Sequence, residues 1–431
     1  MNLSLIAIFL GLILLMILAY RGNSIIWVAP FCAVLVAALS GMDMLQSYIV
    51  NYMQGLAGFL TSWFPAFFLG AIYGKVMDAT SSARSLADKV VKIVGPKRAV
   101  AAVVLPCMLM TYGGISLFVV VFVVYPMGYA IYRAANLPRT LLPGAVAYGA
   151  FGITMTSIPG TPQIQNLIPM QFYGTTPMAA PLMSLVGCIL IGVPGYIYLE
   201  WRAKKAAAAG QIFVEDPKFV EAETKDNLPS WHWLSGLVPI IGVVIALNAL
   251  HLHIVVSLLI GIGICCLMNI KQYKALLPAI SAGANSSLVA IMNTSCAVGF
   301  GAVVKAVSGF SALTAMMMNM PGSILFSQAV AVNILAGATG SASGGMSIAL
   351  EALGPQYLEK AMQLGINPEY LHRIASISSG GLDALPHNGA VLTLLAISNC
   401  THKESYMDIA FVVVLCPTVA SLLMALVWGF F

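Results

Sequence analysis

The chain has 431 residues, of which 60% are hydrophobic and 8% are charged, and its formal net charge is +5. A soluble protein would carry roughly a quarter of charged residues, so this composition excludes a soluble globular enzyme and predicts an all-α polytopic membrane protein. The basic residues lie in loops between apolar segments, which speaks against a nucleic-acid partner.

Apolar segments recur along the whole chain. About 20 apolar residues in a helix cross the hydrocarbon core of a bilayer, so we predict about ten transmembrane helices. The first segment lacks the basic start and small-residue cleavage site of a signal peptide, and we interpret it as a span. The predicted spans are 3–20, 24–41, 50–77, 140–166, 180–199, 232–250, 253–269, 279–305, 371–398 and 407–430.

Two further apolar pieces are predicted to be helical hairpins. An amphipathic piece at 79–95 is followed by residues 98–133, whose two apolar arms flank TYGGIS. Residues 322–360 repeat this pattern around GATGSASGG. Each arm is short for a full crossing, which favours two re-entrant hairpins over four spans.

Two of the predicted spans contain helix-breaking residues. The span 140–166 includes TMTSIPGTPQIQN, and the span 371–398 includes SSGGLDALPHNGAV. Proline removes a backbone donor and glycine relaxes the backbone, so both helices should break there. Backbone freed at membrane depth must face protein or a polar cavity. Asn293, Thr294 and Ser295 mark either another unwound point or a buried polar packing cluster.

The chain divides into two similar halves. Residues 200–230 form the only long polar stretch and are predicted to link residues 1–199 to residues 231–431. Four short matches occur in the same order in both halves. They pair LGAIYGKVMDATSSA with FGAVVKAVSGFSA, GGISL with GGMSIAL, ANLPRTLL with GINPEYLH, and TSIPGTP with DALPHNG. This order predicts an internal repeat.

The basic residues favour one orientation in the membrane. With both termini and residues 306–370 in the periplasm and residues 200–230 in the cytoplasm, 17 of the 20 basic residues lie inside. Only Lys305, Lys360 and Arg373 are placed outside. This asymmetry follows the positive-inside rule, and it gives the two halves opposite polarity, as in the inverted repeats of secondary transporters.

The breaks and hairpin tips are the predicted substrate-binding elements, because half-helix amino termini present free N–H groups there. No lysine or arginine is placed mid-span, so a bound anion must rely on N–H groups, hydroxyls and amides. Such a site suits a solute with a single carboxylate. The candidate residues are Thr111, Gly113, Gly114, Ser116, Thr161, Gln163, Asn166, Thr339, Ser341, Ser343, Gly344, His387 and Asn388.

Asp383 is the only acid placed deep in a span, and it is the first candidate for proton coupling. A carboxylate in a medium of low dielectric constant tends to take up a proton. The alternative is that Asp383 caps a half-helix beginning near Leu385. His387 is either a ligand or proton relay, or a structural donor, and Glu351 is a weaker coupling candidate. The proton is the expected coupling ion, and sodium stays open.

No cofactor or metal site is predicted. The eight cysteines all lie in apolar segments and show no CxxC spacing, so we interpret them as small buried hydrophobic residues.

The motifs GGLDALPHNGAV, TYGGISLFVV and TMTSIPGTPQIQN resemble the gluconate permease (GntP) family, especially its hydroxybutyrate permeases. The resemblance implies proton-coupled uptake of small hydroxy-carboxylates across the bacterial inner membrane. It also implies the ion-transporter superfamily, with a homodimer, a scaffold and an elevator-type transport domain. The hairpins and broken spans would then move. The scaffold would comprise 3–41, 180–199, 232–269 and 407–430.

We therefore predict a secondary transporter, not an enzyme, that imports a small hydroxy-monocarboxylate such as 3-hydroxybutyrate. Gluconate or another sugar acid is the alternative solute. An intramembrane enzyme using Asp383 and His387 is disfavoured, because no catalytic motif accompanies them and the duplication stays unexplained. A channel is disfavoured because duplicated hairpins fit alternating access better than a continuous pore.

Overall fold

The computed structural model describes residues 3–21, 23–95, 98–216 and 228–429, which are helical and without β-strands. Residues 217–227, the most polar part of the predicted linker, lie outside the described residues. The helix before the linker continues to Ala208, beyond the predicted boundary at 199.

Nine helices make up the described part of the first half. The third contains a π-helical turn, the seventh adjoins one, and the eighth begins after a break. The helices are α1 (Leu3–Tyr20), α2 (Ile25–Leu39), α3 (Met44–Ala79), α4 (Ser82–Val94), α5 (Ala99–Tyr112), α6 (Leu117–Ala134), α7 (Leu142–Ala147), α8 (Ile164–Tyr173) and α9 (Pro181–Ala208).

Nine helices also make up the described part of the second half. The helices are α10 (Leu234–Asn248), α11 (Ile254–Met268), α12 (Ile270–Ala306), α13 (Phe310–Met318), α14 (Ile324–Thr339), α15 (Ala342–Leu364), α16 (Pro368–Ser379), α17 (Gly389–Ile397) and α18 (His402–Trp428).

Five of the described helices are long and apolar enough to cross a membrane, namely α3, α6, α9, α12 and α18. Six shorter apolar helices accompany them. Helix α6 is the second arm of the first hairpin. It has 18 residues and is long enough to cross a membrane, whereas the sequence analysis expected every hairpin arm to be too short. The chain is a multi-pass membrane protein.

One group of helices packs around the pair α3 and α12, which lie against α1, α2 and α11. Glycine permits the closest approach of this pair, because a Cβ at Gly283 would lie 2.5 Å from the Cα of Ile72. Helix α12 runs unbroken through Asn293, Thr294 and Ser295. The possible unwound point at these residues is therefore wrong, because Thr294 instead bonds back to the carbonyl of Ala290 within the helix.

The other group contains the hairpins and the broken helices, and α9 and α18 pack with them. A Cβ at Gly187 of α9 would lie 2.7 Å from the side chain of Ile377 in α16. The assignment of 180–199 and 407–430 to the scaffold therefore differs from the observed packing. Residues of α3 and α12, left out of that scaffold, pack with α1, α2 and α11 instead.

Helix α9 carries a row of exposed apolar side chains at intervals of three or four residues. Such a row follows one face of a helix, and in a multi-pass membrane protein it suits contact with lipid. Its members are Leu182, Leu185, Ile189, Val193, Ile197 and Trp201.

Candidate solute-binding site

A cavity of about 450 Å³ lies between the two groups of helices. Both hairpin tips and both breaks contribute to its wall, together with Phe67 of α3, Leu258 of α11 and Thr294 of α12. A volume in this range is typical of a small-molecule site. Among the described residues that line it, the only titratable side chains are Asp383 and His387.

Four helices of the hairpins and breaks begin at this cavity, because the first residues of α6, α8, α15 and α17 all line it. The first residues of α2 and α11 line it as well. The first-turn N–H groups of a helix lack intrahelical partners, and the helix dipole adds partial positive charge there. Among the described residues, no lysine or arginine lines the cavity. The four helix amino termini around it therefore form a site suited to a small anion.

The four amino termini differ in their capping. The Ser341 hydroxyl accepts from the N–H of Gly344 in α15, and the Asn388 side chain accepts from Ala390 and Val391 in α17. No side chain caps α6 or α8. The two amino termini of the first half therefore keep more donors for a ligand than the two of the second half.

Two amides brace the hairpin tips against the breaks. The side chain of Gln163 donates to the carbonyls of Thr111 (2.7 Å) and Ile115 (3.2 Å) in the first tip. The side chain of Asn388 donates to the carbonyls of Gly340 and Asp383, both at 3.0 Å. Each brace fixes the distance between a tip and the helix end that follows the break.

Asp383 lies in a short 3₁₀ turn, Leu382–Ala384, within the second break. It is 5% exposed and lines the cavity. Helix α17 begins at Gly389 with Asn388 as its N-cap, so the alternative that Asp383 caps a half-helix from Leu385 is wrong. Asp383 sits too early in the chain for that role, because the residues from Leu385 to Asn388 are extended or turn-like.

His387 lies beside the second hairpin tip and is 9% exposed. A Cβ at Gly340 would approach its ring atom Cδ2 to 2.6 Å, so only glycine allows the tip this close to the ring. His387 thus packs against the tip and also lines the cavity.

The structure brings eight of the thirteen predicted substrate-binding residues to the cavity wall. These are Gly114, Ser116, Gln163, Thr339, Ser341, Ser343, His387 and Asn388.

Five other predicted residues lie behind the wall. Thr111 donates to the carbonyl of Ala150, and Gly113 packs against Ile240. Thr161 and Asn166 are fully buried, and the N–H of Gly344 bonds to its own cap.

Glu351 is also remote from the cavity. Its carboxylate lies 3.5 Å from the ammonium of Lys305, and both side chains are close to half exposed.

Arg373, which the sequence analysis counted among the basic residues on the periplasmic side, lies in α16. Its side chain is fully buried, and it donates to Asn166 Oδ1 (3.0 Å) and to the carbonyl of Ala179 (2.9 Å). His372 bonds to the same Asn166 oxygen. These acceptors pair both terminal nitrogens of the buried guanidinium, whereas its Nε has no hydrogen-bond partner among the described residues, and the side chain does not line the cavity.

Gln165 was missed by the sequence analysis. It is the second residue of α8, lines the cavity and is 6% exposed. The QIQN run offered three amides, and the sequence favoured Gln163 and Asn166 over the one between them. The position of Gln165 in the first turn of a half-helix was the signal that could have identified it.

Comparison with known proteins places this arrangement among permeases. Residues 1–257 match the model of the GntP family permeases. The uncharacterized transporter YxjC of Bacillus subtilis (strain 168) is 39% identical over 96% of this chain and 97% of its own. An uncharacterized permease of Haemophilus influenzae is 25% identical over 52% of this chain and 47% of its own.

Two solved structures share the fold. The YdaH transporter of Alcanivorax borkumensis, described as having an unusual topology, aligns with a TM-score of 0.55 and 17% identity over 89% of this chain and 88% of its own. MtrF of Neisseria gonorrhoeae, from a class of antimetabolite efflux pumps, aligns with a TM-score of 0.55 and 13% identity over 100% of this chain and 96% of its own.

Proposed function

We propose that this chain, which belongs to the GntP permease family, is a secondary active transporter that imports a small hydroxy-monocarboxylate by proton symport. The solute class is 3-hydroxybutyrate or a close relative. Gluconate or another sugar acid is the second candidate, on the strength of the family. A permease of this family moves its solute and is not an enzyme.

The observation that carries the proposal is the convergence of four helix amino termini on one cavity. Backbone N–H groups and helix dipoles attract an anion without any basic side chain. A single carboxylate matches this modest supply of donors. A dicarboxylate would place a second negative charge where the described lining residues provide no lysine or arginine.

Coupling is assigned to Asp383. A proton on its carboxylate would remove the negative charge that opposes an incoming anion. Proton binding and anion binding would then favour each other, which is the thermodynamic content of symport. His387 stands at the same break as a ligand or relay, and sodium remains the alternative coupling ion.

The proposal includes alternating access by two inverted repeats, and the nine helices in the described part of each half are consistent with it. In the proposed arrangement, both termini face the periplasm of a bacterial inner membrane and residues 200–230 face the cytoplasm. The hairpins and broken helices would move against α1, α2, α3, α10, α11 and α12 in an elevator-type motion, within a homodimer.

The direct test uses purified protein in proteoliposomes with labelled 3-hydroxybutyrate. We expect saturable uptake, solute counterflow, and stimulation by an inward proton gradient but not by a sodium gradient. Uptake should fall as the external pH rises, because fewer transporters then carry the coupling proton. Competition by micromolar gluconate, with none by millimolar 3-hydroxybutyrate, would reverse the order of the two solutes.

Topology is tested separately with single cysteines in a background that lacks the native ones. Ala207→Cys and Gln363→Cys should react with a membrane-impermeant thiol reagent from opposite sides. Both positions are exposed at helix ends, so the reagent can reach them. Labelling of both from one side contradicts the inverted repeat.

A further inference from the structure

Unlike the amides of Gln163 and Asn166, the side-chain amide of Gln165 has no hydrogen bond to another described residue. Gln163 donates to two carbonyls of the first hairpin tip, and Asn166 is bonded to the carbonyls of Thr161 and Pro177 and to Arg373. The Oε1 of Gln165 is buried and has no hydrogen-bond partner among the described residues. Gln165 nevertheless lines the cavity.

A buried acceptor without a donor is costly and uncommon in native proteins. An oxygen such as Oε1 requires a donor, and an ionised carboxylate has none to give. A hydroxyl group has one. A solute that carries an O–H group would supply the missing donor.

The same helical turn also provides donors. Gln165 is the second residue of α8, whose first turn no side chain caps. The N–H groups there suit a carboxylate. One turn of backbone thus offers donors for the acid end of a hydroxy acid and, beside them, an acceptor for its hydroxyl.

We propose, in an inference that rests on the proposed function, that Gln165 is the specificity-determining residue for the hydroxyl group of the solute. The carboxylate binds at the amino terminus of α8, and Oε1 of Gln165 accepts a hydrogen bond from the hydroxyl. An acid without the hydroxyl leaves this buried oxygen unpaired and is rejected for that reason.

The test compares 3-hydroxybutyrate with butyrate as competitors of labelled uptake in proteoliposomes. In the wild type, butyrate should require at least roughly a tenfold higher concentration for half inhibition. In Gln165→Met, which keeps the length of the side chain and removes the oxygen, the ratio of the two concentrations should fall to about one. This ratio does not depend on how much of the protein is folded.

Gln356→Met is the matched control. Gln356 lies in α15 and also has an Oε1 without a partner among the described residues, but it does not line the cavity. The ratio should stay at the wild-type value in this variant. Gln165→Glu is a second control, because it keeps an acceptor. Its added charge should weaken binding of both acids and preserve their ratio.

A wild-type ratio retained in Gln165→Met overturns the assignment of the hydroxyl to Gln165 and leaves the proposed function standing. A change of equal size in Gln356→Met overturns it as well. If Gln165→Met shows no uptake, Gln165→Asn is measured instead, and its shorter side chain should also lower the ratio. If the wild type transports neither 3-hydroxybutyrate nor gluconate, the proposed function fails, and the role of Gln165 fails with it.

Discussion

The two broken helices share a design but differ in chemistry. In each, an amide at the N-cap of the second half-helix, Gln163 or Asn388, donates to carbonyls of the adjacent hairpin tip. Only Asn388 also caps its own helix. The first break contains no titratable side chain between Ile153 and Gln163, whereas the second contains Asp383 and His387.

Under the proposed function, this difference corresponds to a division of roles. The first break leaves the amino terminus of its helix without a side-chain cap and without a titratable group, which would suit the carboxylate of the solute. In the second break, N–H groups of the helix are bonded to the cap Asn388, and Asp383 and His387 are the groups that would hold a proton. Anion binding and coupling would then rest on different breaks.

The largest expected effect is that of Asp383→Asn, which removes the proton-carrying group while an acceptor oxygen remains. Accumulation driven by a pH gradient should fall at least roughly tenfold, and solute counterflow should persist in part. Uptake by this variant should no longer decrease as the external pH rises. Glu359→Gln, the same type of change on an exposed face of α15, is the control and should accumulate solute normally.

Retained accumulation in Asp383→Asn would contradict the division of roles. Coupling would then be reassigned to His387, the other titratable group of the second break.

Gly340→Ala should lower uptake roughly tenfold, because the new Cβ would press on the ring of His387 at 2.6 Å. Gly174→Ala is the matched control. Both glycines have positive φ angles, +59° and +63°, so both variants bear a cost of about 1–2 kcal/mol for the left-handed conformation. Gly174 has no atom within 4 Å of the added Cβ. Equal losses in the two variants would show that strain, and not displacement of His387, lowers uptake.

The difference in capping predicts unequal effects on stability. Asn388→Ala removes the cap of α17 and two bonds to carbonyls, so it should lower the free energy of unfolding by about 2 kcal/mol. Ser116→Ala should change it by less than about 0.5 kcal/mol, since Ser116 makes no cap bond. Thermal unfolding of the detergent-solubilised variants measures both. Similar shifts would argue against the described asymmetry.

Glu351→Gln should have the smallest effect. The pair of Glu351 and Lys305 is exposed and is worth at most about 1 kcal/mol, and neither residue lines the cavity. Accumulation and its dependence on pH should match those of the wild type. Loss of pH-driven accumulation here would place a coupling group outside the two breaks.

The helices and the breaks could be predicted from the sequence because their signals are local. Length and hydropathy identify an apolar helix, and glycine and proline identify where it stops. Helix α17 begins four residues later than the alternative in the sequence analysis had it, at Gly389 and not near Leu385, and its N-cap is Asn388 and not Asp383. Several polar residues there could serve as caps, so the sequence did not single out the right one.

The partners of polar side chains could not be predicted, because they are distant in sequence. Arg373 contacts Asn166, which is 207 residues away. For this reason the sequence analysis predicted Asn166 to bind the solute and did not predict its bond to Arg373. The sequence also could not predict which helices pack together, because apolar faces that contact lipid and apolar faces that contact protein have similar compositions.

The bond between Arg373 and Asn166 has a consequence for the energetics of transport. Together with the bond from Ser376 to the carbonyl of Thr156, it ties α16, which precedes the second break, to the first break and to α8, which follows it. In the proposed alternating-access cycle, a binding site tied in this way would keep its shape on either side of the membrane. The dissociation constant for the solute would then be nearly equal on the two sides.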